Sequence, residues 1–530
     1  MFGRGVLPSR YDDFIVGQVS SDEEPYDFEE AMAVPEWKEA MREEMKAHEI
    51  NKTWSLVVLP IGKRIIGSKW VFKLKRDETG TVVKHKARIV AQGYAQAFGI
   101  DYSEVFAPVT RQSTLRALLA VAAKQKLLLK QYDVKTAYLN GTIEEELYMR
   151  QPPGFEVAEQ GIVCKLQRSI YGLKQSARCW NKALHAVLLE LKFPQCDSDS
   201  CLYVRQNAGV TIYLLVYVDD LLMGCVDESE IDKTFIELRK RFDITSLGFV
   251  RHFLGFEIKK VGDYYTLRLT AYIENLIRKF RMQNAHSART PMDPGYTTAN
   301  DNSEMFTDTT LYRSLIGALL YLAVNARPDL SVSVGLLGRK VSEPNTSDWS
   351  AAKRILRYLN STKDYKLTFG PRDGWNLVGY SDSDWAGDRQ TRRSTTGVVF
   401  FFGGGPLLWM SKGQDSVALS SLEAEYNALT VACQEAVWLR RLLRDLNEPQ
   451  SGATIINEDN QGCLSFAKAE RISGRVKHID TKSFYIRELC ERQEVKLIFC
   501  PTGDMIADAL TKPLGPALLK KFVDSVGLSD

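Results

Sequence analysis

Tyr217-Val218-Asp219-Asp220 sets two adjacent carboxylates between the apolar runs Ile212-Tyr213-Leu214-Leu215-Val216 and Leu221-Leu222-Met223, the pattern of a hairpin whose tip carries the acids. Upstream, Asp133 ends a short strand in Gln131-Tyr132-Asp133-Val134. Any one strand-end aspartate is ordinarily a turn residue. Together they suggest more, because carboxylates drawn close repel and raise one another's pKa unless divalent cations lie between them. Hard, oxygen-ligated Mg²⁺ suits such a set. Two ions about 3.5 to 4 Å apart clamp the attacking and leaving oxygens of an in-line phosphoryl transfer, so the chemistry expected is nucleotidyl transfer onto a 3′-hydroxyl.

A second set of acids lies downstream. Asp382 ends a strand in Val378-Gly379-Tyr380-Ser381-Asp382, Asp459 ends another in Ile455-Ile456-Asn457-Glu458-Asp459, and Asp508 is expected on a final helix. The fourth acid is Glu423 or Glu425, at the start of a long helix. Ser420-Ser421-Leu422-Glu423 has capping-box spacing, which gives Glu423 a structural duty. At about 100° per residue the two glutamates point about 200° apart, and Glu425 lies within about 60° of Leu422 and Leu429, so Glu425 faces inward. Asp384 and Glu458, next to these acids on their strands, should face the other way and are read as surface or supporting residues. The order Asp382, Glu425, Asp459, Asp508 on strand, helix, strand, helix resembles the ribonuclease H fold.

The elements that must hold these acids form a mixed α/β pattern. Residues 11–30 carry eight acids and no Lys or Arg, and read as a disordered lead-in. Pro35 opens an amphipathic helix with Trp37, Met41 and Met45 at four-residue spacing, and residues 54–75 alternate like strands. Helices are expected over 114–129 and 176–191 around a strand at 130–134, and three more over 309–362. From Asn376 the pattern runs strand, strand, strand, helix, strand, helix, helix, strand, helix to Lys512, the length of one compact α/β domain.

Composition sets the bounds. At 530 residues, 45% hydrophobic and 25% charged, the chain is of globular character and too long for one ordinary domain. The nine cysteines are scattered with no Cys-x-x-Cys pair, which fits a reducing, intracellular setting better than a disulfide or zinc scaffold. The N-terminus carries no signal-like apolar core, and the most apolar helical stretch, residues 314–324, is too short to cross a bilayer. With a formal charge of only +3, any polyanion must be met by a local basic surface.

The chain also resembles the copia-type retrotransposon reverse transcriptases from about Trp37 to Leu514. The resemblance is carried by Gly67-Ser68-Lys69-Trp70-Val71-Phe72-Lys73, Lys86-Ala87-Arg88-Ile89-Val90-Ala91, Phe106-Ala107-Pro108-Val109, the segment from Asp133 to Gly141, Ile170-Tyr171-Gly172-Leu173-Lys174-Gln175-Ser176, and Tyr217 to Asp220. It implies a right-hand polymerase of fingers, palm and thumb, then a helical connector and a ribonuclease H-like α/β domain. The domain map is then a lead-in at 1–33, fingers and palm at 34–260, a thumb-like segment at 261–300, the connector at 301–372, the ribonuclease H-like domain at 373–516 and a C-terminal tail at 517–530.

In that frame Asp133, Asp219 and Asp220 are the polymerase triad, with Asp133 and Asp219 the direct metal ligands and Asp220 supporting. Asp382, Glu425, Asp459 and Asp508 are the nuclease set. Each site takes two Mg²⁺ ions, with Mn²⁺ an alternative. Tyr138 resembles the aromatic gate against a ribose 2′-hydroxyl. Lys73 and Arg88, with Lys69, would cradle a triphosphate, while Lys174, Gln175 and Arg178 would support template and incoming nucleotide. Phe253-Leu254-Gly255 resembles a primer grip, with Arg278, Lys279 and Arg281 on the thumb. Arg389, Arg392 and Arg393 are candidates to touch a hybrid. His478, typical of the family here, is left between structural, substrate-contacting and catalytic roles. Ala177 stands where the family usually has proline. The implied partners are an RNA template, a DNA primer, an RNA–DNA hybrid and deoxynucleoside triphosphates, with other Pol or Gag products as further candidates and no membrane. The implied location is the cytoplasm, in a virus-like particle, with nuclear entry to follow. The chain reads as the C-terminal part of a longer polyprotein, and the alternative is an inactive remnant or nucleic-acid-binding scaffold on the same fold.

Overall fold

The computed structural model describes residues 24–76, 82–207, 209–296, 303–372, 374–468 and 480–530, so His478 and most of the acidic lead-in lie outside the described residues. Within that lead-in the expectation of disorder stops short of Phe28–Met32, a short helix whose Asp27 side chain caps the Glu30 N–H and whose Ala31 is buried.

Pro35–Ile50 forms the expected amphipathic helix, and Trp37 and Met41 are fully buried. It packs on a two-stranded ribbon of Ser68–Arg76 and Val82–Ala91. Strand alternation sorts that ribbon cleanly. Trp70, Phe72, Leu74, Ala87 and Ile89 are buried on one face, while Lys69, Val71, Lys73 and Lys75 lie opposite Val90, Arg88, Lys86 and Lys84 on the other.

The central sheet is antiparallel throughout, in the spatial order Ile244–Phe249, Leu128–Val134, Asp220–Cys225, Val210–Tyr217, Leu202–Asn207. Helices Ser176–Glu190 and Glu228–Arg239 cover the face that carries Tyr132, Val134, Leu214, Val216, Leu221 and Met223. Helix Gln112–Lys124 lies on the opposite face with Leu129, Tyr213, Leu215 and Leu222. From there one apolar core continues through helices Thr309–Asn325, Ser331–Gly338 and Thr346–Ser361 into the C-terminal unit.

That unit is built on a mixed sheet ordered Gly405–Gly413, Thr395–Phe402, Val378–Ser383, Thr454–Glu458, Val495–Phe499, with the first two pairings antiparallel and the last two parallel. Helix Ser421–Asp445 crosses it. Two expectations need correction. Asp508 lies on a short 3₁₀ turn, Ile506–Leu510, rather than an α-helix. Residues 517–530 are no loose tail, since Pro516–Ser525 is a helix that buries Leu519, Phe522 and Val523, and Lys366 bridges to Ser529. The apolar spacing of Leu519, Phe522, Val523 and Val526 carries that signal in the sequence. No helix among the described residues is long and apolar enough to cross a membrane.

Candidate functional site

The upstream acids lie at the rim of the antiparallel sheet, and among the described residues their oxygens do not form a group within 4.8 Å of one another. Strands Val210–Tyr217 and Asp220–Cys225 are joined by the two residues Val218 and Asp219, and register sets Asp220 directly opposite Asp133. Directly opposed residues of an antiparallel pair share a face, so these two carboxylates point to the same side, that of Leu129 and Leu222. Asp219 is 5% exposed at the turn, whereas Asp133 and Asp220 are half-buried.

The turn is held in an unfavourable shape. Val218 has φ 53°, a left-handed conformation that a β-branched residue rarely adopts and that is kept only where surroundings over-determine it. Those surroundings are specific. Trp180 Nε1 donates to the Val218 carbonyl at 2.6 Å, and the Val134 N–H donates to the Asp219 carbonyl at 2.8 Å. Thr136, just beyond Asp133, is a second β-branched left-handed residue (φ 48°) and starts the 3₁₀ turn Ala137–Asn140 that carries Tyr138. Nothing in the residue types announced either strained position.

Tyr138 is 6% exposed and meets the Tyr171 ring edge-on at 4.8 Å, while the Arg88 guanidinium lies over the other ring of that pair, Tyr171, at 4.1 Å. The structure thus links the basic ribbon to the 3₁₀ turn that follows Asp133's strand through one aromatic bridge. Lys73 is half-buried and opposite Lys86, on the basic face. Lys174 is half-buried, with its backbone N–H bonded to Gln96 at 2.8 Å. Gln175 is placed differently from the expectation of a substrate contact. It is 1% exposed, and its amide is committed to Gln96, the Asp101 carbonyl and Glu145 at 3.0, 2.9 and 3.2 Å. An amide so engaged braces the loop beneath the surface. Arg178 pairs with Glu104. Leu254 and Gly255 make a tight left-handed turn, and Tyr321 Oη donates to the Leu254 carbonyl at 3.3 Å.

The downstream acids do converge. Among the described residues, Asp382, Glu425 and Asp459 are the group of acids whose oxygens all approach within 4.8 Å of one another. Register explains how. Tyr380 pairs in parallel with Asn457, so Asp382 and Asp459 lie toward one face at the strand ends. Ile506–Leu510 packs there, and Thr511 Oγ1 donates to Asp382 Oδ2 at 2.7 Å. Glu425 comes from the helix on the opposite face and accepts a bond from the Ser383 backbone. Glu423 accepts from the Leu419 N–H at 2.7 Å, one residue before the N-cap, so it serves the helix end as expected. Asp508 stands beside the group as a charge felt by Asp382, with Lys512 Nζ at 2.5 Å from its carboxylate. Thr502 Oγ1 donates to Asp459 at 2.8 Å.

Their electrostatics fit a cation. Burial, set against the Thr511 bond and joined by the Asp508 and Asp459 charges, pushes Asp382 up to about 7. Burial and the charges of Glu458, Asp382 and Asp459 push Glu425 up more strongly. Glu425 Oε2 has no hydrogen-bond partner among the described residues. A buried carboxylate oxygen without a donor, facing other acids, is the donor set a hard divalent ion needs.

Of the two readings of Glu458, surface or supporting residue, the structure removes the first. Its side chain does lie on the face opposite Asp382, but helix Ser421–Asp445 covers that face, and Glu458 is 0% exposed. Asp384 is half-buried and accepts from the Thr395 N–H, bracing the loop that bears Arg389, Arg392 and Arg393.

The fold is that of a right-hand polymerase followed by a ribonuclease H-like domain. Residues 51–294 match the family model described as reverse transcriptase (RNA-dependent DNA polymerase). The chain is 39% identical over 93% of its length to the retrovirus-related Pol polyprotein of transposon TNT 1-94 from Nicotiana tabacum, and 36% identical over 96% to that of transposon RE2 from Arabidopsis thaliana. It spans 38% and 35% of the length of these curated relatives. It is also 35% identical to a Ty5-1 transposon protein of Saccharomyces cerevisiae, over 56% of this chain and 96% of that one. A solved foamy viral protease–reverse transcriptase in complex with double-stranded DNA aligns over 88% of this chain and 70% of its own at TM-score 0.48 and 13% identity. The chain belongs to the reverse transcriptase family of copia-type retrotransposon Pol polyproteins.

Proposed function

We propose that the chain is an RNA-directed DNA polymerase with a second, ribonuclease H centre. The polymerase centre is Asp133, Asp219 and Asp220, and the nuclease centre is Asp382, Glu425, Asp459 and Asp508. The observation that carries the polymerase reading is the register pair Asp133 and Asp220. Like charges directly opposed across two strands destabilise a sheet. A set kept in that arrangement beside a strained, doubly pinned turn is suited to binding divalent cations. When bound at either centre, Mg²⁺ would neutralise the charge that develops on the attacking and leaving oxygens.

The chain's own residues do the rest. Trp180 and Val134 hold the turn that carries Asp219 next to the strands of Asp133 and Asp220. Tyr138, braced by Tyr171, fills space beside the sugar of an incoming deoxynucleotide, and Arg88 and Lys73 present positive charge to its phosphates. At the second centre Thr511 orients Asp382 and Thr502 orients Asp459, while Asp508 lends further negative charge. The partners that follow are an RNA template, a DNA primer, deoxynucleoside triphosphates and the hybrid product. The domain boundaries proposed are those expected from sequence, with Pro516–Ser525 added to the nuclease unit.

The test is primer extension on an RNA template with Mg²⁺ beside cleavage of an RNA–DNA hybrid. Asp133→Asn should abolish extension and spare cleavage, and Asp382→Asn the reverse. Extension that survives Asp133→Asn defeats the proposal, and absence of both activities in the unaltered chain points to the scaffold reading.

A further inference from the structure

Strand Thr454–Glu458 ends in a side chain that the scheme above leaves unused. Glu458 is 0% exposed. One carboxylate oxygen accepts a 3.3 Å bond from the Asn460 N–H, and the other, Oε2, has no hydrogen-bond partner among the described residues. A carboxylate buried for purely structural reasons faces an arginine, a lysine or several N–H groups, because the uncompensated charge costs several kcal/mol. Glu458 has instead acids around it. The charges acting on it are those of Asp382 and Asp459. Of the charges acting on Glu425, that of Glu458 is the largest.

Its position explains the crowding. Pairing of Tyr380 with Asn457 puts Glu458 on the same face as Ser381 and Ser383, and Glu425 is bonded to the Ser383 backbone on that face. Asp382 and Asp459 approach from the other face. The cluster therefore straddles the end of the sheet, with Glu425 and Glu458 on the helix side and each presenting one unpartnered oxygen.

We infer that Glu458 is a further carboxylate of the downstream cation centre, beyond Asp382, Glu425, Asp459 and Asp508, a positioning residue that stands behind Glu425 and adds the negative charge that retains divalent ions there. The inference rests on the two-cation reading of that centre. Glu458 touches no substrate. It stands behind Glu425, whose carboxyl feels its charge, and raises the field the cations meet.

Mn²⁺ binding by the full chain, followed by electron paramagnetic resonance in an Asp133→Asn background, isolates the downstream centre. Asp382→Asn added to that background identifies which binding belongs to it. Glu458→Gln keeps the shape and removes the charge, so the downstream Mn²⁺ affinity should fall by about tenfold or more. The metal-free Tm should not fall, because a buried charge has been removed. Glu458→Asp, which keeps the charge, should retain affinity better than Glu458→Gln. Unaltered Mn²⁺ affinity in Glu458→Gln overturns the inference, and so does an equal loss in both variants, which would assign the residue to packing alone. If the parent chain binds Mn²⁺ through Glu458 yet cleaves no hybrid, the nuclease reading fails while the place of Glu458 in the cation centre stands.

Discussion

Replacing Asp382 by Asn should stabilise the metal-free protein at alkaline pH while ending hybrid cleavage. In the fold, burial holds the Asp382 carboxyl at about 7 against an ordinary 3.8, with the Thr511 bond working the other way and the Asp508 and Asp459 charges adding to the rise. The side chain is 5% exposed as part of its residue, so solvent screens little of this. At 1.36 kcal/mol per pKa unit the difference corresponds to about 4 kcal/mol as an upper bound. Because the folded pKa lies above the unfolded one, the folded state keeps its proton longer. Stability then falls as pH rises from about 4 to about 7, and the whole cost is present above that. Asn has no charge to bury, and its carbonyl can still accept the 2.7 Å bond from Thr511. Thermal unfolding of the full chain in a chelator should therefore show Asp382→Asn matching the parent near pH 4 and exceeding it at pH 8. Added Mg²⁺ should raise the parent more than the variant, since only the parent binds it fully. A variant that is less stable at pH 8, or a difference that does not change with pH, would refute the reasoning.

Further predictions concern the polymerase turn, the gate and the connector. Trp180→Phe removes the donor to the Val218 carbonyl, which should cost about 1 to 3 kcal/mol in thermal unfolding and lower primer extension while hybrid cleavage is kept. Tyr138→Ala should raise ribonucleotide incorporation relative to deoxynucleotide, read as a ratio of kcat/KM values; an unchanged ratio removes Tyr138 from the gate. Arg327 and Asp329 form a bidentate ion pair at 2.9 and 2.7 Å, fully buried in the connector and shared with Tyr358 and Thr362. Asp329→Asn should strand the guanidinium and destabilise the protein by about 3 to 5 kcal/mol, measured by chemical denaturation.

The sequence revealed most where local pattern and chemistry agree. Alternation in residues 68–76 and 82–91 separates Trp70 and Phe72 from Lys73 and Arg88, and the structure keeps that separation. The choice of Glu425 over Glu423 rested on helical phase, and the side chains fall accordingly. What escaped was non-local. Glu458 turns away from Asp382 as alternation requires, and of its two readings, surface or supporting, burial leaves only the second, because a strand with parallel neighbours on both sides has both faces covered. Gln175 sits in a family motif that suggests ligand contact, yet its hydrogen bonds reach Gln96 and Glu145, partners that no spacing rule predicts. The left-handed Val218 has a residue type that argues against its conformation, so only the packing of Trp180 accounts for it.

The two centres are joined by more than a connector. Arg116, on helix Gln112–Lys124, is fully buried with no acid beside it among the described residues, and burial pushes its guanidinium down to about 9. Its donors reach the carbonyls of Leu407 at 2.7 Å, Asn325 at 3.0 Å and Val324 at 3.3 Å, and it lies 3.9 Å over the Trp409 ring. One side chain thus ties the helix on the central antiparallel sheet to the connector helices and to the C-terminal mixed sheet. Around the same joint Trp438 Nε1 donates to the Ser198 carbonyl at 2.9 Å, and Lys124 pairs with Glu448 at 2.5 Å. A joint of this kind keeps the two centres at one separation, so cleavage of the RNA strand should fall at a fixed distance from the primer's 3′ end. Arg116→Lys keeps the charge but loses the fork and the stacking, leaving buried carbonyls unsatisfied at about 1 to 3 kcal/mol each. The variant should melt earlier and broaden the distribution of cleavage positions mapped on an end-labelled hybrid, while each activity measured alone persists. A distribution as narrow as the parent's, in a variant that has lost that stability, would show that something other than this joint sets the spacing.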